Sequence, residues 1–502
     1  MPAKAQKTPL LDDGKFTVEK VVELNFFDMS GDKAKTKGTS NKSYHAELQF
    51  QKGGNKAQVY TMWGPTGGKQ TKDWRHYTSH AAAEKDFASI LKSKKRKGYQ
   101  EIDVAQRALG SDAAKQITKA VDLNNVDATA KVPKSSLHKE TQALIKKLMG
   151  ATQQFVVTTL RCPIGQLSNG QVEIGRQALQ EARTILGNGK KHLSKSDIAR
   201  LEELTNKFYG AIPHNLGSGS RGKLTDLRLD SEDKILKKDN DLDTLLDAKA
   251  VGAVLSSGTG VDAQYQELNA DMAFVDHEDP LFKFVFKYLT NSSNSGHGFG
   301  KLKLKNLWAI DRKDRENEFY LENATRIAKE CGKHTFVKEA RDLVHTDMSK
   351  LTPPHRPDLS AEDRAIFDKA NVWLCWHGTR SANICGITKQ GLMVRPKGVV
   401  HTGSMLGDGK YFAWQSTKSL NYCDGGYYTG GTTSSRYMFL MDVALGKQHV
   451  AKGAHFYKKP PNGYHSVYGK AHVSGVWNDE MVTYDFTVQN TQSRIRYLLE
   501  VA

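Results

Sequence analysis

The sequence has few cysteines, no long apolar run and no leader-like start. Its five cysteines, Cys162, Cys331, Cys375, Cys385 and Cys423, include no CxxC pair. A disulfide scaffold and a zinc ribbon are therefore poorly supported, and reduced thiols inside a cell are expected. An uninterrupted apolar run of about 18 residues is missing, which argues against an ordinary membrane span. The N-terminal residues lack an apolar signal-peptide core, so secretion by that route is not expected.

Two common nucleotide-binding fingerprints are also missing. No GxGxxG follows a candidate strand, and no GxxxxGK[ST] occurs, so a Rossmann site and a P-loop are not supported. What the chain does have is length and positive charge. Its 502 residues suggest about three domains, and 73 basic against 55 acidic residues give a net charge of +18. That charge favours a polyanionic partner, with nucleic acid first, although a solvated basic surface is the alternative.

Residues 1–120 are predicted to form a basic, β-rich domain. Apolar and polar residues alternate over 44–51, which predicts a half-buried strand, and residues 57–64 suit its neighbour. Ser79 is a candidate N-cap for a following helix. That helix runs into a basic cluster formed by Lys92, Lys94, Lys95, Arg96 and Lys97. The cluster suits a solvated helix end, a phosphate-contacting patch or a nuclear address.

Residues 125–270 are predicted to form a helical bundle. Apolar residues recur with helical spacing over 168–187, 194–213 and 242–255. Ser168 and Gln171 have capping-box spacing at the start of the first of these helices, which a glycine ends.

Residues 275–502 are predicted to form an α+β domain with a substantial antiparallel sheet. Short apolar and aromatic segments alternate there with polar and glycine-rich loops. Four segments in this stretch carry residues suited to chemistry: His377-Gly378-Thr379, Gly409 to Ala413 (GKYFA), Ser419 to Cys423 (SLNYC), and Glu480 ahead of Tyr484-Asp485. Taken singly, each of these suits an ordinary core or surface position.

Together, in this order and at these separations, the four segments resemble the catalytic domain of poly(ADP-ribose) polymerases. His377, Tyr411 and Glu480 match that family's His-Tyr-Glu triad. Upstream, PIGQLSNGQ, LTNKFYGAIPHNLG and LDTLLDAKAVGAVL are similar to the helical regulatory domain of the DNA-dependent members. The first stretch is similar to a WGR domain, the DNA-sensing module of the same enzymes. The layout resembles the shorter members, which lack zinc fingers.

The resemblance implies that NAD is the substrate and that no metal is needed. The enzyme would release nicotinamide and transfer ADP-ribose to proteins, including itself, with elongation to a polymer. Positive charge develops on the ribose as the glycosidic bond breaks, and a carboxylate suits that centre. By resemblance, Glu480 would hold the nicotinamide-ribose 2′-hydroxyl and activate the acceptor hydroxyl, and His377 would bind the adenine ribose.

Other positions carry over from the family in the same way. The Gly378 backbone and the Ser419 hydroxyl would fix the carboxamide, and Tyr422 would stack on the nicotinamide ring with Tyr411 opposite. Further positions match NAD contacts, namely Thr379 and Gly386. Candidate DNA contacts in the WGR-like domain are Trp63, Gly64 and Arg75.

The chain departs from the family pattern in three places. Pro65 replaces the arginine of the Trp-Gly-Arg motif, which in relatives helps to couple DNA to the helical domain. Met393 stands where an arginine is usual in the donor loop, although Arg395 lies two residues on. The segment between Gly453 and Glu480 is short beside the acceptor-side loops of well-known polymerases, which argues against chain elongation.

The expected partners are broken DNA, through phosphate contacts, and acceptor proteins, with no membrane. The expected location is the nucleus, or the cytoplasm if the source is a prokaryote or a virus. Two alternatives to a DNA-activated polymerase stay open. They are a mono-ADP-ribosyltransferase of the same fold and a DNA-binding scaffold with weak activity.

Overall fold

The protein forms two compact units. The computed structural model describes residues 15–28, 40–65, 70–102, 135–160, 167, 169–187, 193–214, 227–252, 260–333, 358–393, 405–407, 409–485 and 487–502. The first unit contains residues 1–130, 154–245 and 255–258, and the second contains 131–153, 246–254 and 259–502. Two helices of the predicted bundle therefore contribute residues to both units.

A five-stranded antiparallel sheet forms the N-terminal part of the first unit. Its strand order is β4-β3-β2-β1-β5. The strands are β1 (Phe16–Asp28), β2 (Ser40–Gln51), β3 (Ala57–Pro65), β4 (Thr71–Tyr77) and β5 (Gln100–Ile102). Helix α1 (His80–Arg96) begins at Ser79, whose hydroxyl accepts the Ala82 N–H at 3.3 Å. The side chains of Phe87 and Ile90 bury this helix against one face of the sheet. The predicted β-rich character and the predicted N-cap are confirmed.

The polar face of β2 differs from the prediction of a half-buried strand. His45, Glu47 and Gln49 point away from α1, yet they are only 3%, 0% and 3% exposed. They can be buried because they bond to one another and to neighbouring strands. His45 contacts both Glu23 and Glu47, and Gln49 links Glu47 to Gln58. Alternation predicts which residues share a face, but a face of mutually bonded polar groups need not face water.

Helices complete the first unit. They are α3 (Asn169–Leu186), α4 (Lys195–Ala211) and most of α5 (Glu232–Ala250), together with the end of α2 (Lys139–Thr159). The N-terminus of α4 has a capping box between Ser194 and Asp197. The predicted cap Ser168 lies outside the described residues. Helix α5 begins ten residues earlier than expected from 242–255, because its first turns are mostly charged and lack an apolar stripe.

The second unit holds two sheets. The five-stranded sheet has the order β6-β7-β14-β10-β8, and the four-stranded sheet has the order β11-β12-β13-β9. All pairs are antiparallel except β11 with β12. The strands of the larger sheet are β6 (Ala270–Phe274), β7 (Leu304–Arg312), β8 (Val372–Gly378), β10 (Arg436–Ala444) and β14 (Ser493–Val501). Those of the smaller sheet are β9 (Lys410–Phe412), β11 (Gln448–Val450), β12 (Ser466–Gly469) and β13 (Glu480–Thr483).

Short helices pack around these sheets. They are α6 (Val261–Gln266), α7 (Pro280–Asn291), α8 (Glu316–Cys331), α9 (Ala361–Lys369), α10 (Ser381–Gln390) and α11 (Ser416–Leu420), with 3₁₀ turns at Ser295–His297 and Val488–Asn490. The predicted fold class is confirmed, since a β-rich domain, helices and an α+β domain with antiparallel sheets follow one another along the chain.

One backbone bridge joins the two sheets of the second unit. The N–H of Trp376, in β8, donates to the Ala413 carbonyl at 2.8 Å, and the Ala413 N–H donates back at 3.0 Å. Trp376 is fully buried at this junction. The bridge holds the end of β8 beside the end of β9, which brings the first two chemistry-bearing segments together.

Candidate active site

His377 lies at the junction of the two sheets and is bonded to the second segment. Its Nδ1 lies 3.1 Å from the Tyr411 carbonyl oxygen, so Nδ1 carries the proton and donates. Burial lowers the pKa of His377, which favours the neutral ring. In that tautomer Nε2 holds a lone pair and is free to accept a hydrogen bond from a ligand hydroxyl.

Gly378 and Ser419 are packed backbone against backbone. A Cβ on Gly378 would overlap the Ser419 carbonyl oxygen and lie 2.5 Å from its carbonyl carbon. Only glycine therefore allows β8 to approach α11 this closely. Ser419 is itself buried, at 4% exposure. The structure thus brings together the two residues predicted to hold a carboxamide.

Glu480 begins β13 and is paired with a buried cation. Its Oε1 accepts from Lys418 Nζ at 2.8 Å, and the two side chains are only 11% and 8% exposed. Its other oxygen, Oε2, is buried and has no hydrogen-bond partner among the described residues. A buried carboxylate oxygen left without a donor is costly. It therefore marks the place where a ligand hydroxyl would bond.

Lys418 is a residue of the candidate site that the sequence did not predict. It directly precedes Ser419, so α11 carries both the residue predicted to hold a carboxamide and the cation that holds Glu480. A lysine among small and apolar residues in STKSL was the only available signal. Nothing in the sequence pairs it with a glutamate 62 residues away.

Tyr411 is fixed through its hydroxyl. The hydroxyl donates to the Gly407 carbonyl at 2.9 Å and accepts the Leu406 N–H at 3.1 Å. In the sheet, Tyr411 pairs with Val482, two residues from Glu480. Both bonds orient the ring and tie it to the segment just before β9.

Tyr422 lies near Glu480 and against another tyrosine. Burial raises its pKa well above the usual value, and the charge of Glu480 and the hydroxyl of Tyr428 raise it further. The rings of Tyr422 and Tyr428 are stacked, with centroids 4.5 Å apart. A neutral, oriented aromatic ring beside a carboxylate is suited to a flat cationic ligand such as the nicotinamide of NAD.

Thr379 and Gly386, the two further positions matched to NAD contacts, have different surroundings. Thr379 is buried, and its hydroxyl accepts from Asn383 Nδ2 at 2.8 Å. Gly386 lies in α10 beneath the end of α5, where a Cβ would be 2.5 Å from the Asp247 carbonyl oxygen. Asp247 belongs to the second unit. Its backbone therefore covers a glycine that the resemblance assigns to NAD.

The candidate DNA contacts belong to the first unit and stay predictions. Trp63 stacks on Tyr44 at 5.9 Å, and Gly64 follows it in β3. Arg75 is already engaged, with ion pairs to Asp73 at 3.3 Å and Asp86 at 2.9 Å. Its side chain is nevertheless 44% exposed.

The departures from the family pattern are only partly described. Pro65 is the last residue of β3, and the side chain of Met393 is half exposed. Arg395 lies outside the described residues.

Within the described ranges, no helix is both long and apolar enough to cross a membrane, and no group of three or more His, Cys, Asp or Glu could hold a metal ion. Independence from metal stays a prediction.

Comparison with known proteins matches three family models along this chain. The WGR domain matches residues 28–106, the regulatory domain of poly(ADP-ribose) polymerase matches 135–271, and the catalytic domain of poly(ADP-ribose) polymerase matches 281–500. The last of these is an NAD⁺ ADP-ribosyltransferase domain, the enzyme class predicted from the sequence. The predicted domain limits 1–120, 125–270 and 275–502 stay predictions.

Similar proteins occur among animals. "Poly [ADP-ribose] polymerase 1" of Gallus gallus is 28% identical over 67% of this chain and 29% of its own length. "Poly [ADP-ribose] polymerase" of Drosophila melanogaster is 24% identical over 86% of this chain and 39% of its own length. "Protein mono-ADP-ribosyltransferase PARP3" of Homo sapiens is 26% identical over 86% of this chain and 74% of its own length.

The chain thus spans less than two fifths of the first two relatives and about three quarters of the third. It carries a WGR domain, a regulatory domain and a catalytic domain in the order found from the motifs. With His377, Tyr411 and Glu480 placed around one junction, the chain belongs to the poly(ADP-ribose) polymerase family.

Proposed function

We propose that this protein is an ADP-ribosyltransferase activated by DNA strand breaks, which cleaves NAD and modifies proteins, including itself. The observation that carries the proposal is the state of Glu480. One oxygen is held by Lys418 at 2.8 Å, and the other is buried without a partner among the described residues. Such a group is prepared for a hydroxyl and for positive charge that arrive with a substrate.

The reaction breaks the bond between the nicotinamide nitrogen and the ribose carbon C1′. Its electron pair goes to the nitrogen, nicotinamide leaves neutral, and positive charge spreads over C1′ and the ring oxygen. Glu480 Oε2 would accept the ribose 2′-hydroxyl and stabilise this cation. The acceptor group then bonds to C1′, and its proton passes to Glu480 and on to water.

Binding would be divided between the two sheets. His377 Nε2 would accept from the adenine ribose, while the Gly378 backbone and the Ser419 hydroxyl would hold the carboxamide. Tyr422 would stack on the nicotinamide ring, with Tyr411 on the other side. Packing of Gly378 against Ser419 fixes the distance between the two carboxamide anchors.

Positive charge in the first unit supports DNA as the activating partner. Lys94 Nζ lies 3.8 Å from the centroid of the Tyr44 ring, on which Trp63 stacks. Burial and the charges of Lys97 and Lys42 lower the pKa of Lys94 to about 8. A phosphate would relieve this repulsion, so binding should weaken steeply as salt rises.

The end of α5 supports a restraining role for the helices. The Asp247 backbone covers Gly386, a position assigned to NAD by resemblance. DNA can release such a restraint only by binding the released state more tightly than the restrained one. Deleting the WGR-like domain together with residues 125–270 should then give a 275–502 fragment that is active without DNA. A folded fragment no more active than DNA-free full-length protein would contradict the restraint.

We propose that the product is a polymer of ADP-ribose, and mono-transfer is the second candidate. The glutamate of an intact triad favours elongation. Two observations favour mono-transfer. One relative similar over 86% of this chain is named a mono-ADP-ribosyltransferase, and the acceptor-side segment before Glu480 is short. If the source is a eukaryote, action on DNA breaks places the protein in the nucleus.

The test is incubation of the full chain with NAD, with and without broken duplex DNA, followed by a gel. We expect modified protein and free nicotinamide, both increased by broken DNA. A ladder or smear means polymer, and a single discrete shift means mono-transfer. Binding to DNA without release of nicotinamide would contradict the proposed transferase activity and would favour a DNA-binding scaffold.

A further inference from the structure

The loop that follows Tyr422 is folded back on itself and fixed. The Tyr428 N–H donates to the Asn421 carbonyl at 3.0 Å, and the Thr429 hydroxyl donates to the Cys423 carbonyl at 2.5 Å. At the other edge, Asp424 Oδ2 accepts the Ser381 N–H at 3.1 Å, at the start of α10. These bonds give the loop a defined shape beside α11.

This loop presents two adjacent tyrosines that are held in different ways. The ring of Tyr428 stacks on Tyr422, with centroids 4.5 Å apart and planes 27° apart. Tyr427 meets Tyr428 edge-on at 5.1 Å, and it is 83% exposed against 39% for Tyr428. Tyr428 is therefore packed on a pocket residue, whereas its neighbour stands largely in solvent.

Tyr428 also shares the electrostatic environment of the catalytic carboxylate. The charge of Glu480 acts on both tyrosine hydroxyls and raises the pKa of each, although burial is the larger cause for both. Tyr428 is thus linked to Tyr422 by the stack of their rings and by a common neighbouring charge.

We infer that Tyr428 is a positioning residue for the transfer reaction, which fixes the ring of Tyr422 so that its other face receives nicotinamide. This inference rests on the proposed function, in which Tyr422 stacks on that ring. A planar side chain has two faces. When another ring packs against one face, the side chain has less conformational freedom, so it loses less entropy when a ligand stacks on the other face. The ring of Tyr428 supplies the backing.

The role of Tyr428 predicts an effect confined to the nicotinamide side of the pocket. Tyr428→Ala should weaken benzamide, which mimics nicotinamide, by about tenfold, as expected for loss of an aromatic pair. The same variant should bind ADP-ribose, which lacks nicotinamide, within about twofold of the wild type. KM for NAD should rise by about the same factor as the dissociation constant of benzamide, and kcat should fall by a smaller factor.

Three further variants separate the contributions to benzamide binding of the Tyr428 ring, of its hydroxyl and of the loop. Tyr428→Phe keeps the stack and should lose only about twofold in benzamide affinity. Tyr428→Leu keeps the bulk of the side chain but has no π face. It should lose most of the benzamide affinity that Tyr428→Ala is expected to lose, and it takes the place of that variant if Tyr428→Ala fails to fold. Tyr427→Ala is the matched control, since that ring lies in the same loop but is exposed, and its benzamide affinity should be unchanged.

Calorimetry with benzamide and with ADP-ribose measures all four variants. Equal loss of both ligands in the alanine and leucine variants would show general loosening and overturn the inference. Unchanged benzamide affinity in both would also overturn it. Failure of the proposed function gives a different result, because benzamide would then not bind the wild type at all.

Discussion

The first sheet and the catalytic junction both bury a cation against carboxylates, but they complete the arrangement differently. In the first sheet, His45 bonds to Glu23 and Glu47, and the second oxygen of Glu47 accepts from Gln49 at 2.5 Å. At the junction, Lys418 holds one oxygen of Glu480, and the other has no partner among the described residues. The first network is closed, and the second is open on one side.

The difference separates a structural role from a functional one. Both His45 nitrogens face carboxylates, so the ring must carry two protons, in keeping with a pKa raised to about 9. A closed network of this kind stabilises one arrangement of the chain. An open one costs stability, and such a cost is expected where a ligand or a transition state will use the group.

Gly378→Ala should have the largest effect, since it forces the junction apart. A Cβ would overlap the Ser419 carbonyl, so β8 or α11 must move. A displacement of about 1 Å in a catalytic site costs about 100-fold in rate, and we expect at least that loss. Nicotinamide release from NAD measures it.

Gly453→Ala is the matched control for that change, since a Cβ there meets nothing within 4 Å. Its turnover should equal the wild type. If Gly378→Ala keeps turnover within about threefold of the wild type, the close packing is not needed for the reaction.

His45→Ala should break the closed network and leave turnover of the second unit intact. Removing the cation leaves two carboxylates facing each other, one of them fully buried, and should cost about 3 kcal/mol. Urea unfolding and hydrogen exchange of the β2 amides measure the loss. His76→Ala, at an exposed position of the same sheet, is the control. Stability equal to that control would show that the network adds nothing.

Alkaline pH should open the same network without a mutation. The pKa of His45 is raised in the folded state to about 9 from 6.5. Its stabilising contribution is therefore complete below the unfolded value and is lost as pH rises through the folded one. We expect a loss of about 2 kcal/mol between about pH 7.5 and about pH 9.5. The loss should be absent from His45→Ala, and an equal loss in that variant would assign the pH dependence to other groups.

Ser419→Ala should have the smallest effect, because it removes one of several contacts to the carboxamide. Benzamide and NAD should both weaken by about tenfold, since the bound amide would lack a partner. Competition binding measures both ligands. Ser434→Ala, at an exposed serine of the same unit, should change neither. Unchanged benzamide affinity in Ser419→Ala would remove Ser419 from the pocket.

The sequence predicted the order of the WGR, regulatory and catalytic domains better than it predicted which residues pair with one another. Alternation and helical spacing are local, so β2, β3 and α1 were found from them. Strand β1 and the start of α5 were not, because β1 does not keep a clean alternation and α5 begins with charged turns.

The contacts that define the site depend on residues distant along the chain. Lys418 and Glu480 are 62 residues apart, and Gly378 and Ser419 are brought together by the bridge between β8 and β9. Motifs placed Ser419 and Glu480 by resemblance to a family. The cation between them, and the burial of the polar face of β2, follow only from the fold.

The central claim is that the open oxygen of Glu480 serves the transition state. The most direct measurement is NAD affinity and nicotinamide release in the same preparation of Glu480→Gln, with broken DNA present. We expect affinity within about threefold of the wild type and release slower by about 100-fold or more, because the charge is needed chiefly once the ribose is cationic. Unchanged release at full occupancy by NAD would contradict the account.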